Sequence, residues 1–458
     1  MADYAPLSSG GEEARGGEVE MPGRRIARVT SLDVFRGLSI ALMIFVDYAG
    51  SLSPVIAHSP WNGVRLADFV MPFFLFIVGI SLALVHKEIS NKISATWRVI
   101  LRAVKLFLLG ILLQGGYFHG LNSLTYGVNL ENIRWLGILQ RIAIGYIIAA
   151  LCEIWLSRIV VRDSVGRSFK NYYLQWFAVF LLSCVYLWLL YGLYVPDWQF
   201  KLEQPTSSLP SIIDDYVIKT VKCDVRGDLG PGCNSAGMID RYLLGIEHLY
   251  KKPSYRNLKD CYSEKGQGLE NSPAWCQAPF DPEGVLSSLM ASVTCIIGLQ
   301  FGHVLVQVEE HKGRLIRWMS LSWLFLALGV FLTVIGSPLN KSLYTINYML
   351  ITTSSAGIAF CALYLMVDVC GYKRMFFILE WMGRHSLCIF VLVASNLAII
   401  AIQGFYWRIP QNNIVRRTHL RFFSLHPRSN NLHWLSSRTP SVAFSLSLYL
   451  ALQGFYLY

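Results

Sequence analysis

Nine stretches of the 458-residue chain are apolar over about the length that a bilayer demands, with polar segments between them. A hydrocarbon core ~30 Å thick needs roughly 20 such residues per helix, and within it each backbone group must find its partner inside the helix. The apolar cores lie near 33–50, 66–85, 99–116, 133–156, 173–195, 284–308, 315–336, 343–367 and 375–403. With 54% hydrophobic and only 15% charged residues, the composition is too apolar for a soluble domain of this size. The pattern predicts an all-α polytopic membrane protein.

Residues 1–32 are rich in Gly, Glu and Arg, have no apolar signal-peptide core, and read as a flexible tail. A transmembrane domain over 33–410 follows, with one long loop at 196–283, and residues 411–458 form an atypical C-terminal tail. Within that tail 442–458 is just long enough for a tenth span, so nine to ten transmembrane helices are expected. Lys and Arg gather in alternate short loops, among them Arg24, Arg25, Lys87, Arg98, Arg158, Arg162, Lys312 and Arg314. Such charges are retained on the cytoplasmic side, which places the amino terminus in the cytoplasm and the long loop across the membrane. That asymmetry accounts for much of the +11 net charge, so the lipid bilayer is the expected partner and nucleic acid is not.

The long loop holds Cys223, Cys233, Cys261 and Cys276. An even set in an oxidising compartment suggests two disulfides, with the pairing open. No metal is expected, because no CxxC or His-rich spacing offers ligands. The chain also lacks a Walker A loop, HExxH, GxSxG and a GxGxxG opening a strand–helix unit, which weighs against ATP-driven, zinc-dependent and serine-hydrolase chemistry.

Ionisable residues inside apolar spans are costly unless paired or hydrated, so each is a functional candidate. "SLDVFRGLSIALMIFVDYAG" (31–50) supplies Asp33, Arg36 and Asp47. Asp33 and Arg36 can pair across one helical turn, and an interfacial anchor explains them as well as a ligand site does. Asp47 lies about 16 Å further along the helix, and His58 follows in the next loop. A carboxylate beside an imidazole fixes its tautomer and prepares it as a base or nucleophile. "HSPWNGVRLADFVMPFF" (58–74) adds Trp61, Asn62 and Asp68, while "GILQRIAIGY" (137–146) buries Arg141, whose counter-charge would be Asp47, Asp68 or an anionic ligand. Lys341 stands at the non-cytoplasmic mouth in "SPLNKSLYT" (337–345), and Glu283 in "FDPEGVLSSL" (280–289) reads as a helix entry.

In order, "SLDVFRG", "FVDYAG", "HSPWNGVRLADFVMPFFLFIVG", "GILQRIAIGY", "IDRYLLGIEHLY", "DPEGVL" and "PLNKSLYT" resemble the heparan-α-glucosaminide N-acetyltransferase family over roughly 29–410. The resemblance implies a membrane enzyme that moves acetyl from cytosolic acetyl-CoA to an amino-sugar or glycan acceptor on the lumenal side. It implies His58 as the active-site histidine, either a base or a transient acetyl carrier, with Asp47 standing where the animal enzyme has asparagine. Asp47 is then expected to orient His58, Asn62 or Arg141 to hold the thioester oxygen, Trp61 to form a wall, and Asp68 to partner Arg141. Arg36 and Lys341 complete the expected binding set. The short cytoplasmic amino terminus resembles the plant branch, for which a vacuolar, lysosomal or other endomembrane location and a different amino sugar are expected. A homodimer is left open. The alternative is a proton-coupled sugar or metabolite transporter with Asp47, His58 and Arg141 as its relay.

Overall fold

The computed structural model describes residues 29–50, 53–86, 91–114, 133–157, 172–203, 216–251, 253–261 and 272–394. Helix α1 (Thr30–Ala49) leads through a loop and a 3-10 turn at Leu66–Phe69 into α2 (Val70–Val85). Then come α3 (Lys92–Gln114), α4 (Ile138–Leu151) with a wide turn at Cys152–Leu156, and α5 (Tyr173–Gly192). The long loop contributes β1 (Trp198–Glu203), β2 (Tyr216–Val221) and α6 (Ser235–Leu244). The chain re-enters the bundle with α7 (Val285–Gln307), α8 (His311–Val334), α9 (Ile346–Tyr364), α10 (Phe377–Arg384) and α11 (Ser386–Ala394).

Six helical stretches among the described residues are long and apolar enough to cross a membrane, and α10 with α11 adds a seventh if that pair, bent by 76°, is one span. This falls short of the expected nine to ten for a physical reason. The cores expected at 33–50 and 99–116 are helices of 20 and 23 residues, but they are heavily charged. Helix α1 carries Asp33, Arg36 and Asp47, and α3 carries Lys92, Arg98, Arg102 and Lys105. The expected tenth span and the tail from 411 lie outside the described residues.

Helix α7 is the centre of the bundle: 83% of its apolar window is buried, against 17% in α5 and 22% in α8, which face outward. Helix α2 meets α7 backbone to backbone. A Cβ on Gly79 would stand 2.1 Å from the Cys295 carbonyl oxygen, and one on Gly298 would stand 2.3 Å from that of Phe76, so only glycine permits the crossing. Helix α4 packs on α7 as well, α3 lies on α4, and α1 runs along α10.

The loop is not purely helical, which corrects the all-α expectation locally. Strands β1 and β2 pair antiparallel, with Trp198 opposite Val221 and Phe200 opposite Lys219. Alternate β1 residues Trp198, Phe200 and Leu202 turn to one face and pack with Val195, Val221 and Cys223. Disulfides join Cys223 to Cys233 and Cys261 to Cys276, so each bridge links neighbours in sequence. Trp61 ties this layer to the bundle: its Nε1 donates to the Leu229 carbonyl at 3.0 Å, and its ring meets Tyr255 and Phe280 edge-on.

Candidate active site

The segment between α1 and α2 is fixed by one carboxylate. Asp68, fully buried in the turn that opens α2, accepts through Oδ2 from the backbone N–H groups of Ser59 (3.2 Å) and Arg65 (3.0 Å). Its other oxygen, Oδ1, lies 3.0 Å from Nδ1 of His58 and 3.1 Å from Nζ of Lys341. Lys341 also stands 2.7 Å from His58 Nδ1. The Tyr348 hydroxyl donates to the Asp68 carbonyl at 2.6 Å, anchoring the turn on α9.

Lys341 arrives on a tight turn that a sequence does not reveal. Tyr344, buried on α7 through a 3.0 Å contact between its hydroxyl and Thr294 Oγ1, adopts φ of 56°, a left-handed conformation uncommon for a residue with a side chain. Asn340 locks the turn by accepting from Leu343 N–H, and Asn62 and Asn340 pair as a short antiparallel bridge. Asn340 is fully buried.

His58 opens onto a cavity of about 750 Å³ that runs between α1, α2, α3, α4 and α11. Asp47, His58, Glu283 and Lys341 line it on the long-loop side of the bundle. Met43, Val46, Met71, Phe74, Ile77 and Ile142 form an apolar middle, and Arg36, Ser81, Arg102, Tyr146 and Arg384 line it further along. Arg36 donates to Ser81 Oγ at 3.0 Å and pairs with Asp33 at 3.3 Å. The Arg102 guanidinium lies 5.7 Å from the Tyr146 ring centre. Arg102, Tyr146, Arg384 and Glu283 were not among the candidates from sequence. From sequence Arg102 counts only toward the alternating loop charge, Arg384 carries no reading, and Glu283 reads as a helix entry.

Glu283 is held by Arg134, which also forks onto Asp281 at 2.9 Å through Nε and at 2.5 Å through a terminal nitrogen. Burial pushes the Glu283 carboxyl up, but Arg134, Arg141 and Lys341 together outweigh it and hold the group below the usual range. Glu283 therefore faces the cavity as an anion.

Several expected placements need correction. Asp68, not Asp47, contacts the imidazole, because the turn at 66–69 folds back over the His58 loop. Arg141 meets neither Asp47 nor Asp68: it is 1% exposed, off the cavity wall, and donates to Ser287 Oγ at 2.6 Å and to the Pro282 carbonyl. It braces the turn that presents Glu283. Trp61 is a core anchor and not a cavity wall, and Asn62 faces Asn340 instead of the cavity. His58, Asp47, Lys341 and Arg36 do line the same cavity. Among the described residues no three His, Cys, Asp or Glu side chains gather to hold a metal ion.

Residues 28–164, which include α1 to α4 and the His58 loop, match the family model "Heparan-alpha-glucosaminide N-acetyltransferase, catalytic". The mouse heparan-alpha-glucosaminide N-acetyltransferase is 29% identical over 391 residues, covering 79% of this chain and 54% of the mouse protein. The human protein of the same name is 29% identical over 388 residues, covering 78% of this chain and 53% of the human one. The chain thus spans about half the length of the curated relatives it matches. Over these residues the chain is similar to the heparan-alpha-glucosaminide N-acetyltransferases of mouse and human.

Proposed function

We propose that the protein is a transmembrane acetyltransferase that takes acetyl from cytosolic acetyl-CoA and delivers it to an amine acceptor on the lumenal side. One observation carries this reading: a single cavity has basic side chains along one stretch, an apolar middle, and a histidine braced by a carboxylate on the long-loop side. Acetyl-CoA matches that order. Its phosphates suit Arg36, Arg102 and Arg384, its thin pantetheine arm suits the apolar walls, and its thioester would lie near His58.

The Nδ1 of His58 is occupied, and among the described residues Nε2 has no protein partner. With Nδ1–H donated to Asp68, Nε2 carries the lone pair and serves as base. The acceptor ammonium gives one proton to Nε2, its nitrogen attacks the thioester carbonyl, a C–N bond forms and the C–S bond breaks. The second nitrogen proton leaves with sulfur as the CoA thiol, and His58, with half its side-chain surface exposed, returns the first proton to solvent. The same nitrogen would bear the acetyl group if transfer ran through a histidine intermediate.

Family similarity and loop charge support the orientation, with the amino terminus cytoplasmic and a vacuolar, lysosomal or other endomembrane as the location. Reconstituted protein given labelled acetyl-CoA and a panel of amino sugars tests the reading. Label on an acceptor supports it, and acceptor uptake without acetylation favours the transporter instead.

A further inference from the structure

Two carboxylates, Asp47 and Glu283, line the His58 side of the cavity, and the transfer chemistry above uses neither. Asp68 is fully engaged by His58, Lys341, Ser59 and Arg65. Asp47 differs. It is exposed to the cavity and, among the described residues, makes no hydrogen bond or ion pair, although His58 and Lys341 lie within electrostatic range. Lys341 makes no contact with it; its ammonium is docked on Asp68 and the imidazole. Glu283 faces the same space as a preorganised anion held by Arg134.

A carboxylate that lines a cavity in a membrane protein with no cation docked on it is a ready acceptor for a cationic ligand. The acceptor of an N-acetylation arrives as a primary ammonium with three donors and a positive charge. We propose that Asp47 and Glu283 form the receptor for this ammonium group, so that the site selects a primary amine over a hydroxyl at the same position. An ammonium on this pair stands beside His58, where it can give up its proton. The specificity therefore comes chiefly from the undocked Asp47 carboxylate, with Glu283 fixed by Arg134 as its second acceptor, and Asp47 acts on the acceptor and not on the histidine. The inference rests on the acetyltransferase reading for the identity of its ligand.

The test uses the full chain in detergent and matched pairs of ammonium and neutral sugars, glucosamine against glucose and galactosamine against galactose, with binding and transfer measured separately. Wild type should bind each amine at least about tenfold more tightly than its hydroxyl counterpart, as a charge-assisted hydrogen bond allows. Asp47→Asn, which leaves Glu283 in place, should cut that preference several-fold and raise the acceptor KM by a similar factor, while the acetyl-CoA KM stays within about twofold. Glu283→Gln should weaken amine binding in the same direction, read alongside its melting temperature because Glu283 also holds Arg134. Equal binding of amine and hydroxyl by wild type, or a preserved preference in Asp47→Asn, overturns the proposal. Amine preference without acetyl transfer would leave it standing and remove the acetyltransferase reading; transfer without amine preference would do the reverse.

Discussion

Nδ1 of His58 lies 3.0 Å from Oδ1 of Asp68, and Lys341 Nζ touches both groups, 2.7 Å from the nitrogen and 3.1 Å from the oxygen. One ring nitrogen cannot accept a proton from the ammonium and donate one to the carboxylate at once. In the first arrangement Nε2 bears hydrogen and is no base; in the second its lone pair faces the cavity. Asp68 is the group that favours the second.

Asp68→Asn removes that preference while keeping shape. The expected outcome is a kcat lower by roughly 10²–10⁴-fold with the acetyl-CoA KM nearly unchanged, as for other orienting carboxylates. Steady-state kinetics in both substrates checks it, and an acetyl-CoA KM that rises in step with the kcat loss would instead place Asp68 in donor binding.

Arg102 and Arg384 line the cavity away from His58. Replacing either with Ala should raise the acetyl-CoA KM by about tenfold, from the loss of charge-assisted phosphate contacts, and leave the acceptor KM alone. Salt should weaken acetyl-CoA binding to wild type more than to the variants. Dephospho-CoA competition against each variant shows which phosphate each arginine meets.

Asp240 gives a pH signature on the loop side. It is buried, its Oδ1 accepts from Val285 N–H at 2.8 Å, and burial raises its carboxyl to about 7. A carboxyl raised above its ordinary 3.8 binds more protons folded than unfolded between those values. Stability from this group is therefore full at low pH and lost as pH rises toward 7. Asp240→Asn keeps the acceptor for Val285 and should flatten the fall in melting temperature between roughly pH 4 and 7. Melts across that range decide it; an unchanged slope would mean that Asp240 does not titrate there.

Much of the frame was legible because long apolar runs announce themselves. The cores expected at 173–195 and 315–336 correspond to α5 and α8. The break at His385, which divides the core expected at 375–403, was not, since the nearby Gly383 lies inside α10, packed against the Asp33 backbone, and does not itself form the bend. Asp47, His58 and Lys341 were legible as one group because chain orientation alone puts them at the same surface. Asp68 was misassigned to Arg141: which way a carboxylate turns from a 3-10 turn depends on the backbone N–H groups of Ser59 and Arg65, not on spacing. Trp61 and Asn62 were misplaced likewise, because their partners Leu229 and Asn340 lie 168 and 278 residues away.

The most direct measurement of the central claim is single-turnover transfer of labelled acetyl from acetyl-CoA supplied on the cytoplasmic side of proteoliposomes to an amino sugar enclosed within. Wild type should place label on the enclosed sugar, and His58→Ala should lower that rate by about 10²–10⁴-fold while still binding acetyl-CoA. Equal transfer by the two proteins, or label appearing only on sugar supplied on the acetyl-CoA side, would contradict it.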